Sequence, residues 1–483
     1  MRSFRKHERG YFAILVLVFA GLFMFLIMAL SGYIFVQKKA QLAEENKQKA
    51  VNLAEAGLEY YRWHLAHFPS DLEDGTGNPG PYVHTVDDPE GGTLGTFSLD
   101  ISGETACNVV TSIDITSTGT SAGDPTLKRT LRARYTKPTV AEFSTITNSN
   151  VWVGEDRVIS GPYHSNGGIR MDGTHNAKVS SGVATWLCTS SFGCSPSGNQ
   201  NGVFGSGGPS NLWEFPAPTV NFNGITVDLN QIKGYATSSG GIYIGPSNTY
   251  GYRVTFNANG TVSIRRVNGT TQVWGYSTEN GWQQERTVMS NTQAATVYTI
   301  PADCPIVFVE DNVWVEGTVS GKVVLAAANL ITSGVDRSAI INGNITYANA
   351  SGDGLTLIGE QDVLIGLQTP DVMTVNGIFI AQKGRFGRNH YCQSECDSSH
   401  SGNEGLTGAL DPYVFRSTLN TYGTVVSNGR VGTKWTSGGT FVSGYSQRND
   451  SYDRNLADDP PPFTPVTSDD FKFVLWQDQN IPF

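Results

Sequence analysis

Two groups of acidic residues lie close enough in the sequence to be considered for catalysis. Glu310, Asp311 and Glu316 form the first group, and Glu360 and Asp362 form the second. Enzymes that hydrolyse glycosides use a pair of carboxyl groups, and Glu310 and Glu316 have the even spacing that places two side chains on one face of a strand. Acids in turns and on solvated sheet faces are the commoner explanation. We therefore predict no catalytic residue and expect a protein that is not an enzyme, with a polysaccharide-active enzyme as the weakest alternative.

A further cluster contains residue types that bind metal ions. His390, Cys392, Cys396 and His400 lie close together in the sequence, and two cysteines with two histidines can form a zinc site. The first two are too near each other to converge easily on one ion. In an exported protein the cysteines more often form a disulfide. The metal site is therefore the weaker interpretation, and no cofactor is predicted.

The chain has an even number of cysteines, which fits disulfide pairing in an oxidising compartment. All of them lie outside the apolar segment: Cys107, Cys188, Cys194, Cys304, Cys392 and Cys396. The pairs at 188 and 194 and at 392 and 396 could each close a small loop, which would leave Cys107 with Cys304. Several pairings are compatible with the sequence, so the connectivity stays open.

The composition indicates a folded protein rich in tight turns. Of 483 residues, 55 are glycine, 39% are hydrophobic and only 16% are charged. A disordered chain would have fewer hydrophobic residues. The formal net charge is -10, and no long basic run occurs beyond the first ten residues. Because nucleic-acid binding depends on clustered positive charge, no nucleic-acid partner is predicted.

Residues 11–36 contain no charged side chain. As a helix they would span about 39 Å, which exceeds the hydrocarbon core of about 30 Å. Arg2, Arg5, Lys6 and Arg9 precede this run, and the excess of positive charge predicts that the N-terminal side stays in the cytoplasm. The run is longer than the apolar part of a cleaved secretory signal. We expect one span of the cytoplasmic membrane, with the body on the outer side.

The helix is expected to continue well past the membrane. Good helix formers dominate up to Phe68, and no proline occurs before Pro69. Leu53, Leu58 and Leu65 belong to one apolar stripe with a spacing of three to four residues. The sequence thus predicts one helix over 11–68, which crosses the membrane from 11 to 36.

The start of the chain resembles the leader of type IV prepilins, in which a basic segment and a glycine precede an aromatic residue that opens an apolar helix. Arg9, Gly10 and Tyr11 carry this resemblance. It implies that a prepilin peptidase removes residues 1–10 by cleaving between Gly10 and Tyr11. Major pilins have a glutamate at the fifth mature position, and this chain has Leu15 there. The departure favours a minor pilin.

The sequence Asn-Leu-Ala-Glu-Ala-Gly-Leu-Glu at 52–59 resembles the element that follows the apolar helix in PilX-type minor pilins. The resemblance implies a non-enzymatic envelope protein, a minor component or assembly factor of a type IV pilus or related filament. Its partners would be the cytoplasmic membrane, prepilin peptidase and other pilins. A permanently anchored single-pass surface protein is the alternative that the sequence leaves open.

The rest of the chain is predicted to be mostly β, which makes the fold class α+β. Alternating apolar and polar residues indicate a small β head over 69–137. Short β-branched runs separated by Asn-Gly turns over 138–459 indicate a right-handed parallel β-helix, with a hairpin insertion around 221–300. Residues 460–483 form a proline-rich C-terminal tail.

The body also resembles the ectodomain that accompanies PilX-like N-termini. The segments that carry this resemblance are 161–167, 309–317, 343–347, 427–433, 452–456 and 460–463. It implies display at the cell surface or on a pilus, for assembly, adhesion or surface contact, and no defined reaction. Tryptophans spread through the body could stack on sugars, although most tryptophans pack in cores. A surface or carbohydrate ligand is therefore a further candidate partner.

Overall fold

The computed structural model describes residues 8–68, 71–222, 229–394, 405–468 and 470–479, with side chains from residue 11 onward. The chain divides into two compact units. The smaller unit comprises Met1–Gly103, Ile113–Tyr135 and Leu475–Phe483, and the larger unit comprises Glu104–Ser112 and Thr136–Val474.

The smaller unit contains helix α1, Glu8–His67, and most of a five-stranded sheet. Its strands in chain order are β1 (Tyr82–Asp87), β2 (Thr93–Ala106), β3 (Val109–Ser121), β4 (Asp124–Thr136) and the last strand of the chain, Lys472–Asp478. Neighbours along the sequence pair antiparallel, as β1 does with β2 and β3 does with β4. The alternation of apolar and polar residues in these strands gives the sheet one face for a core.

The apolar stripe of α1 fills that core. Ala50, Ala54, Leu58 and Tyr61 are fully buried, and their spacing of three to four residues places them on one face of the helix. Gly119 on β3 allows the closest approach, because an added Cβ there would lie 2.0 Å from the backbone oxygen of Ala50. The second half of α1 therefore packs directly on the sheet, backbone against backbone.

The larger unit consists mainly of short strands. The first group, in chain order, is β5 (Thr145–Thr147), β6 (Val151–Val153), β7 (Val158–Ile159), β8 (Tyr163–Ser165), β9 (Ile169–Met171), β10 (Thr174–His175), β11 (Val179–Ser181), β12 (Thr185–Cys188), β13 (Gly198–Asn201), β14 (Val203–Phe204) and β15 (Trp213–Glu214). Helix α2 (Leu229–Ser238) follows, then β16 (Ile242–Ile244), β17 (Gly251–Asn257), β18 (Thr261–Ser277), β19 (Gly281–Thr292) and β20 (Thr296–Thr299).

The second group follows β20. It comprises β21 (Ile306–Val309), β22 (Val313–Val319), β23 (Lys322–Ala327), β24 (Ala339–Tyr347), β25 (Gly354–Gly359), β26 (Val363–Ile365), β27 (Val372–Ala381), β28 (Phe386–Gly387), β29 (Phe415–Ser427), β30 (Lys434–Ser437), β31 (Thr440–Ser451) and helix α3 (Arg454–Asp458). Single 3₁₀ turns occur at Val140–Glu142, Ser190–Phe192, Ser210–Leu212 and Asp411–Tyr413.

These strands form parallel ladders. In the longest, β21, β23, β25, β27 and β29 pair in succession. A second ladder joins β17, β22, β24, β26 and β28. A third uses the other halves of the long strands, where β22, β24, β27, β29 and β31 meet. Successive strands along the chain thus alternate between ladders.

Side chains that point inward form columns through the stack. Val307, Leu325, Leu357, Phe379 and Val425 are aligned neighbours on successive strands of the first ladder, and each is almost fully buried. β-branched and other apolar residues suit such positions, because each packs on its equivalents above and below. This column is the core of the larger unit.

The order of strands in the stack differs from their order in the chain. β29, near the end of the chain, pairs with β5 through Val425–Thr145, Val426–Ile146 and Ser427–Thr147. The chain proceeds from β5 outward through β8 and β11 to β15. It then reappears at the opposite end of the ladder, where β16 pairs with β21. The strands at 145–159 and 415–451 therefore meet at a junction in the middle of the stack, which we call the seam.

Stacked side-chain amides mark one corner of the turns on both sides of the seam. The amide of Asn148 donates to Asn428 at 2.9 Å, and the amide of Asn166 donates to Asn148 at 2.8 Å. Each asparagine follows the inward-facing end of a strand in the first ladder. The Ser-Asn-Gly sequences at 165–167 and 427–429 thus have a structural role, because their asparagine side chains are bonded to Asn148 between them.

Candidate functional site

The first half of α1 has no packing partner among the described residues. Phe19 is 63% exposed and Phe35 is 74% exposed. The segment Tyr11–His67 includes a window of mean hydropathy 3.0, none of which is buried. The helix is long and apolar enough to cross a membrane, a property that signal sequences share. An exposed apolar surface of this extent indicates contact with lipid or with another protein.

The glycine of the 52–59 element has a steric explanation. A Cβ added at Gly57 would lie 2.3 Å from the Ser117 hydroxyl oxygen and 2.9 Å from the Phe97 ring. Both neighbours belong to the sheet of the smaller unit. Glycine weakens an isolated helix, so its presence here fits a helix that must approach the sheet closely.

Hydrogen bonds fasten the loop after α1 to the end of the helix. The Tyr61 hydroxyl donates to the backbone oxygen of Asp71 at 2.6 Å, and the His64 ring contacts the Asp71 carboxylate at 2.9 Å. The Glu73 backbone N–H, with further help from His64, lowers the pKa of Asp71. Asp74 is buried and joins His84 at 2.6 Å. These contacts hold the helix end against the sheet.

The predicted leader cleavage site lies at the start of α1. The helix begins at Glu8, so the bond between Gly10 and Tyr11 lies in its first turn. Leu15, where major pilins carry a glutamate, is 55% exposed. Cleavage at this bond stays a prediction.

Two disulfides of the larger unit have both cysteines among the described residues. Cys107 bonds to Cys304, and Cys188 bonds to Cys194. The first joins residues 197 positions apart, and the second closes a six-residue separation. The other predicted pair cannot be described, because Cys396 lies outside the described residues.

The proposed zinc ligands are only partly described. His390 and Cys392 have known positions, whereas Cys396 and His400 lie outside the described residues. Within the part of the chain that the structure describes, no three His, Cys, Asp or Glu side chains come together in a way that could hold a metal ion. The His390 ring instead lies among aromatic side chains.

The acidic residues considered for catalysis are engaged in structural contacts. Glu310 is 1% exposed; it contacts the Lys233 amine at 2.6 Å and accepts the Leu330 backbone N–H at 2.7 Å. Glu316 is bound by Arg253 and accepts from Asn342 at 3.3 Å. The two carboxylates thus have separate sets of partners. Buried carboxylates in such contacts stabilise backbone that would otherwise be unsatisfied.

The remaining three acids have similar roles. Asp311 accepts the backbone N–H of Ser247 at 3.0 Å. Glu360 accepts the Asn329 backbone N–H at 2.8 Å. Asp362 accepts the Arg385 backbone N–H at 2.7 Å, and burial raises the pKa of this carboxyl group. Glu316 thus lies on strand β22, the other four acids lie between strands, and each of the five has its own donors.

The structure brings together aromatic residues that the sequence left scattered. Trp274 and Tyr276 lie on β18, and Trp282 lies opposite Tyr276 on β19. On its other side Tyr276 pairs with His390 through two backbone hydrogen bonds of 2.9 Å. The Trp435 ring lies 5.6 Å from Tyr276 and 5.9 Å from His390. We call these five residues the aromatic row.

The aromatic row lies on the outer face of the β18–β19 hairpin. Val273, Gly275 and Ser277 alternate with the row and are buried, whereas Trp274 and Tyr276 are half-buried. Burial lowers the pKa of His390 to about 4, so its ring is neutral at pH 7. The alternation of aromatic residues at 274 and 276, followed closely by Trp282, is the sequence signal that could have indicated a common face.

The seam contains an internal polar cavity. Its lining includes a buried ion pair between Arg157 and Asp450 and the hydroxyl-bearing residues Thr145, Thr421 and Thr433. The water-accessible space is about 20 Å³, which is enough for a buried water molecule. In the first ladder Thr145 occupies the column position that Val425 and Phe379 fill on neighbouring strands. The core is thus more polar at the seam than elsewhere along this column.

No family model matches the chain, and no curated protein matches it. Among solved structures, the crystal structure of the competence-associated pilin ComZ from Thermus thermophilus aligns with 90% of this chain and 97% of its own length. The identity is 13% and the TM-score 0.26, values too low to support an argument about fold or function. The structure itself shows a long N-terminal apolar helix followed by a large β-rich body, with 47% of residues in strands.

Proposed function

We propose that this chain is a non-enzymatic, pilin-like envelope protein. In this proposal a prepilin peptidase removes residues 1–10, and α1 then anchors the protein in the cytoplasmic membrane. The helix is later passed to a type IV pilus or related filament, where the protein is a minor, PilX-like component or an assembly factor. The β-rich body is displayed outside the cell.

The division of α1 into two halves carries this proposal. The first half exposes large apolar side chains such as Phe19 and Phe35, whereas the second half buries Leu58 and Tyr61 against a sheet. A plain membrane anchor needs only the first property. A filament subunit needs both properties, because one end of its helix contacts lipid or neighbouring helices and the other end packs against a folded head.

We also infer that the three parallel ladders belong to one right-handed β-helix. Successive strands alternate between ladders, and inward side chains form continuous columns. Right-handed connection is the strong rule for parallel strands. Such a coil would display the turns and the inserted β18–β19 hairpin for adhesion, assembly or surface contact.

Replacing Gly10 tests the proposal. Gly10→Ala is expected to leave the leader uncleaved and to remove the protein from sheared filaments, while the chain remains in the membrane fraction. Gly21→Ala is the matched control, because an added Cβ at Gly21 meets nothing within 4 Å and should leave processing unchanged. Normal cleavage and filament recovery of Gly10→Ala would contradict the proposal and favour a permanently anchored surface protein.

A further inference from the structure

The aromatic row is not part of either core. The inward face of its hairpin is already occupied, since Val273 and Val288 pack with Leu367 and Tyr391. Trp274 points to the opposite face, and it makes no ring contact with another aromatic residue among those described. Large aromatic side chains on an outward sheet face indicate a contact surface, because solubility alone would favour polar residues there.

Neighbouring rings of the row are tilted against each other, with an angle of 59° between Tyr276 and Trp282 and of 51° between Trp282 and His390. Ring centroids lie 5.6 Å apart for Tyr276 and Trp282, and 5.4 Å apart for Trp282 and His390. The Trp435 indole N–H donates to the backbone oxygen of Arg388 at 2.9 Å. This hydrogen bond holds the ring in one orientation. Aromatic side chains offer rigid contact area and lose little conformational freedom when a ligand binds.

The hydrogen-bonding groups beside the row are mainly neutral. The side-chain amides of Gln272 and Gln284 lie next to Trp274 and bond to each other. Side-chain amides both donate to and accept from hydroxyl groups.

The charged residues near the row are already engaged. Arg286 lies over the Tyr250 ring at 5.3 Å and is within 3.3 Å of Gln272. Glu285 accepts the Tyr391 hydroxyl on the inward side at 2.5 Å. A phosphate-bearing or otherwise anionic ligand would require cations free to pair with it, so the electrostatics favour an uncharged ligand.

We propose that the aromatic row binds a neutral polysaccharide chain. The C–H faces of sugar rings would stack on Trp274, Tyr276 and Trp282, and their hydroxyl groups would bond to the neighbouring glutamine amides. This proposal names a ligand class for the displayed body and thus rests on that part of the proposed function. Leader processing and binding by the purified chain are separate measurements, so either can fail without the other.

Binding is measured by biolayer interferometry on the full chain in lipid nanodiscs. The immobilised probes are dextran, hydroxyethyl cellulose and galactomannan, with polygalacturonate and single-stranded oligothymidylate as anionic probes. We expect binding to at least one neutral probe and none to the anionic ones. Trp274→Ala and Trp282→Ala should each weaken that binding at least tenfold, while Trp282→Phe should retain most of it because a ring remains.

Phe415→Ala is the matched control, since Phe415 is an exposed aromatic residue outside the row. It should bind like the unaltered protein. Thermal unfolding of every variant identifies any that lose their fold, and Trp274→Ala is the mildest change because it breaks no ring pair. The proposal is overturned if no neutral probe binds, if the anionic probes bind instead, or if Phe415→Ala weakens binding as much as Trp274→Ala.

Discussion

The close packing of α1 on the sheet gives the most quantitative prediction. In Gly119→Ala the new methyl group would lie 2.0 Å from the backbone oxygen of Ala50 and 2.6 Å from the backbone nitrogen of Ala54. Ordinary contact begins at 3.4 Å, so the helix and β3 must separate by about 1.4 Å (3.4 minus 2.0). The atoms in contact belong to the backbone on both sides, so no flexible side chain can move to make room.

The expected loss of stability comes from the packing contacts that this separation weakens. A gap of about 1 Å between packed atoms removes a quarter to a half of their attraction. Leu58 and Tyr61 lie fully buried at this interface and would lose part of their packing. Overpacked sites typically cost about 1–3 kcal/mol. Because the contacts at Gly119 are with backbone, we expect a loss at the upper end, about 3 kcal/mol in the free energy of local unfolding.

Hydrogen exchange measured by mass spectrometry on the full chain provides the assay. A loss of about 3 kcal/mol should accelerate exchange in peptides covering 50–65 and 113–121 by about 100-fold. Gly123→Ala is the control, because the atoms nearest to its new methyl group belong to the side-chain amide of Asn46, which can rotate away at the loss of one hydrogen bond to Ser121. Unchanged exchange in Gly119→Ala would refute the close contact between helix and sheet.

Three further predictions concern the larger unit. Cys304→Ser should lower the free energy of unfolding by up to about 5 kcal/mol, since its bond to Cys107 closes a long loop; a lower thermal midpoint would record it. Asp450→Ala leaves Arg157 charged and buried without its partner. This should lower the free energy of unfolding by about 3–5 kcal/mol and accelerate hydrogen exchange at the seam. Adding Arg157→Met to the same chain should restore most of the lost stability. Burial would raise the pKa of Asp156, but Lys434 and Arg448 lower it to about 2. Its stabilising contribution should therefore be complete above about pH 4 and lost between pH 4 and 2, and Asp156→Asn should abolish that part of the pH dependence of the thermal midpoint.

The helix could be predicted from sequence because its signals are local. The uncharged run at 11–36 and the absence of proline before Pro69 predict one long helix, and α1 extends from Glu8 to His67. The stripe that includes Leu53, Leu58 and Leu65 is buried. Periodicity over many residues determines such an element with little help from distant contacts.

The order of strands in the body could not be predicted, because parallel pairing is non-local. Thr145 pairs with Val425 across the seam, and no turn residue or repeat near either position encodes that partner. Antiparallel hairpins differ in this respect. Asn259 and Gly260 connect β17 to β18, and the turn alone indicates the pairing.

The candidate sites show the same limit. Spacing suggested that Glu310 and Glu316 share a face, yet Glu310 contacts Lys233 and the Leu330 backbone while Glu316 contacts Arg253. The partner of a buried acid depends on which distant turn the fold brings beside it. The aromatic row was hidden for the same reason, since Trp435 is far from the hairpin in sequence.

The N-terminus of the mature protein tests the central claim most directly. Mass spectrometry on membranes and on sheared surface filaments would identify the first residue of the chain. The account predicts a chain that begins at Tyr11 and is present in the filaments. A chain that keeps Met1 or Arg2 and stays in the membrane would contradict it, and the protein would then be a single-pass anchor for a β-rich domain.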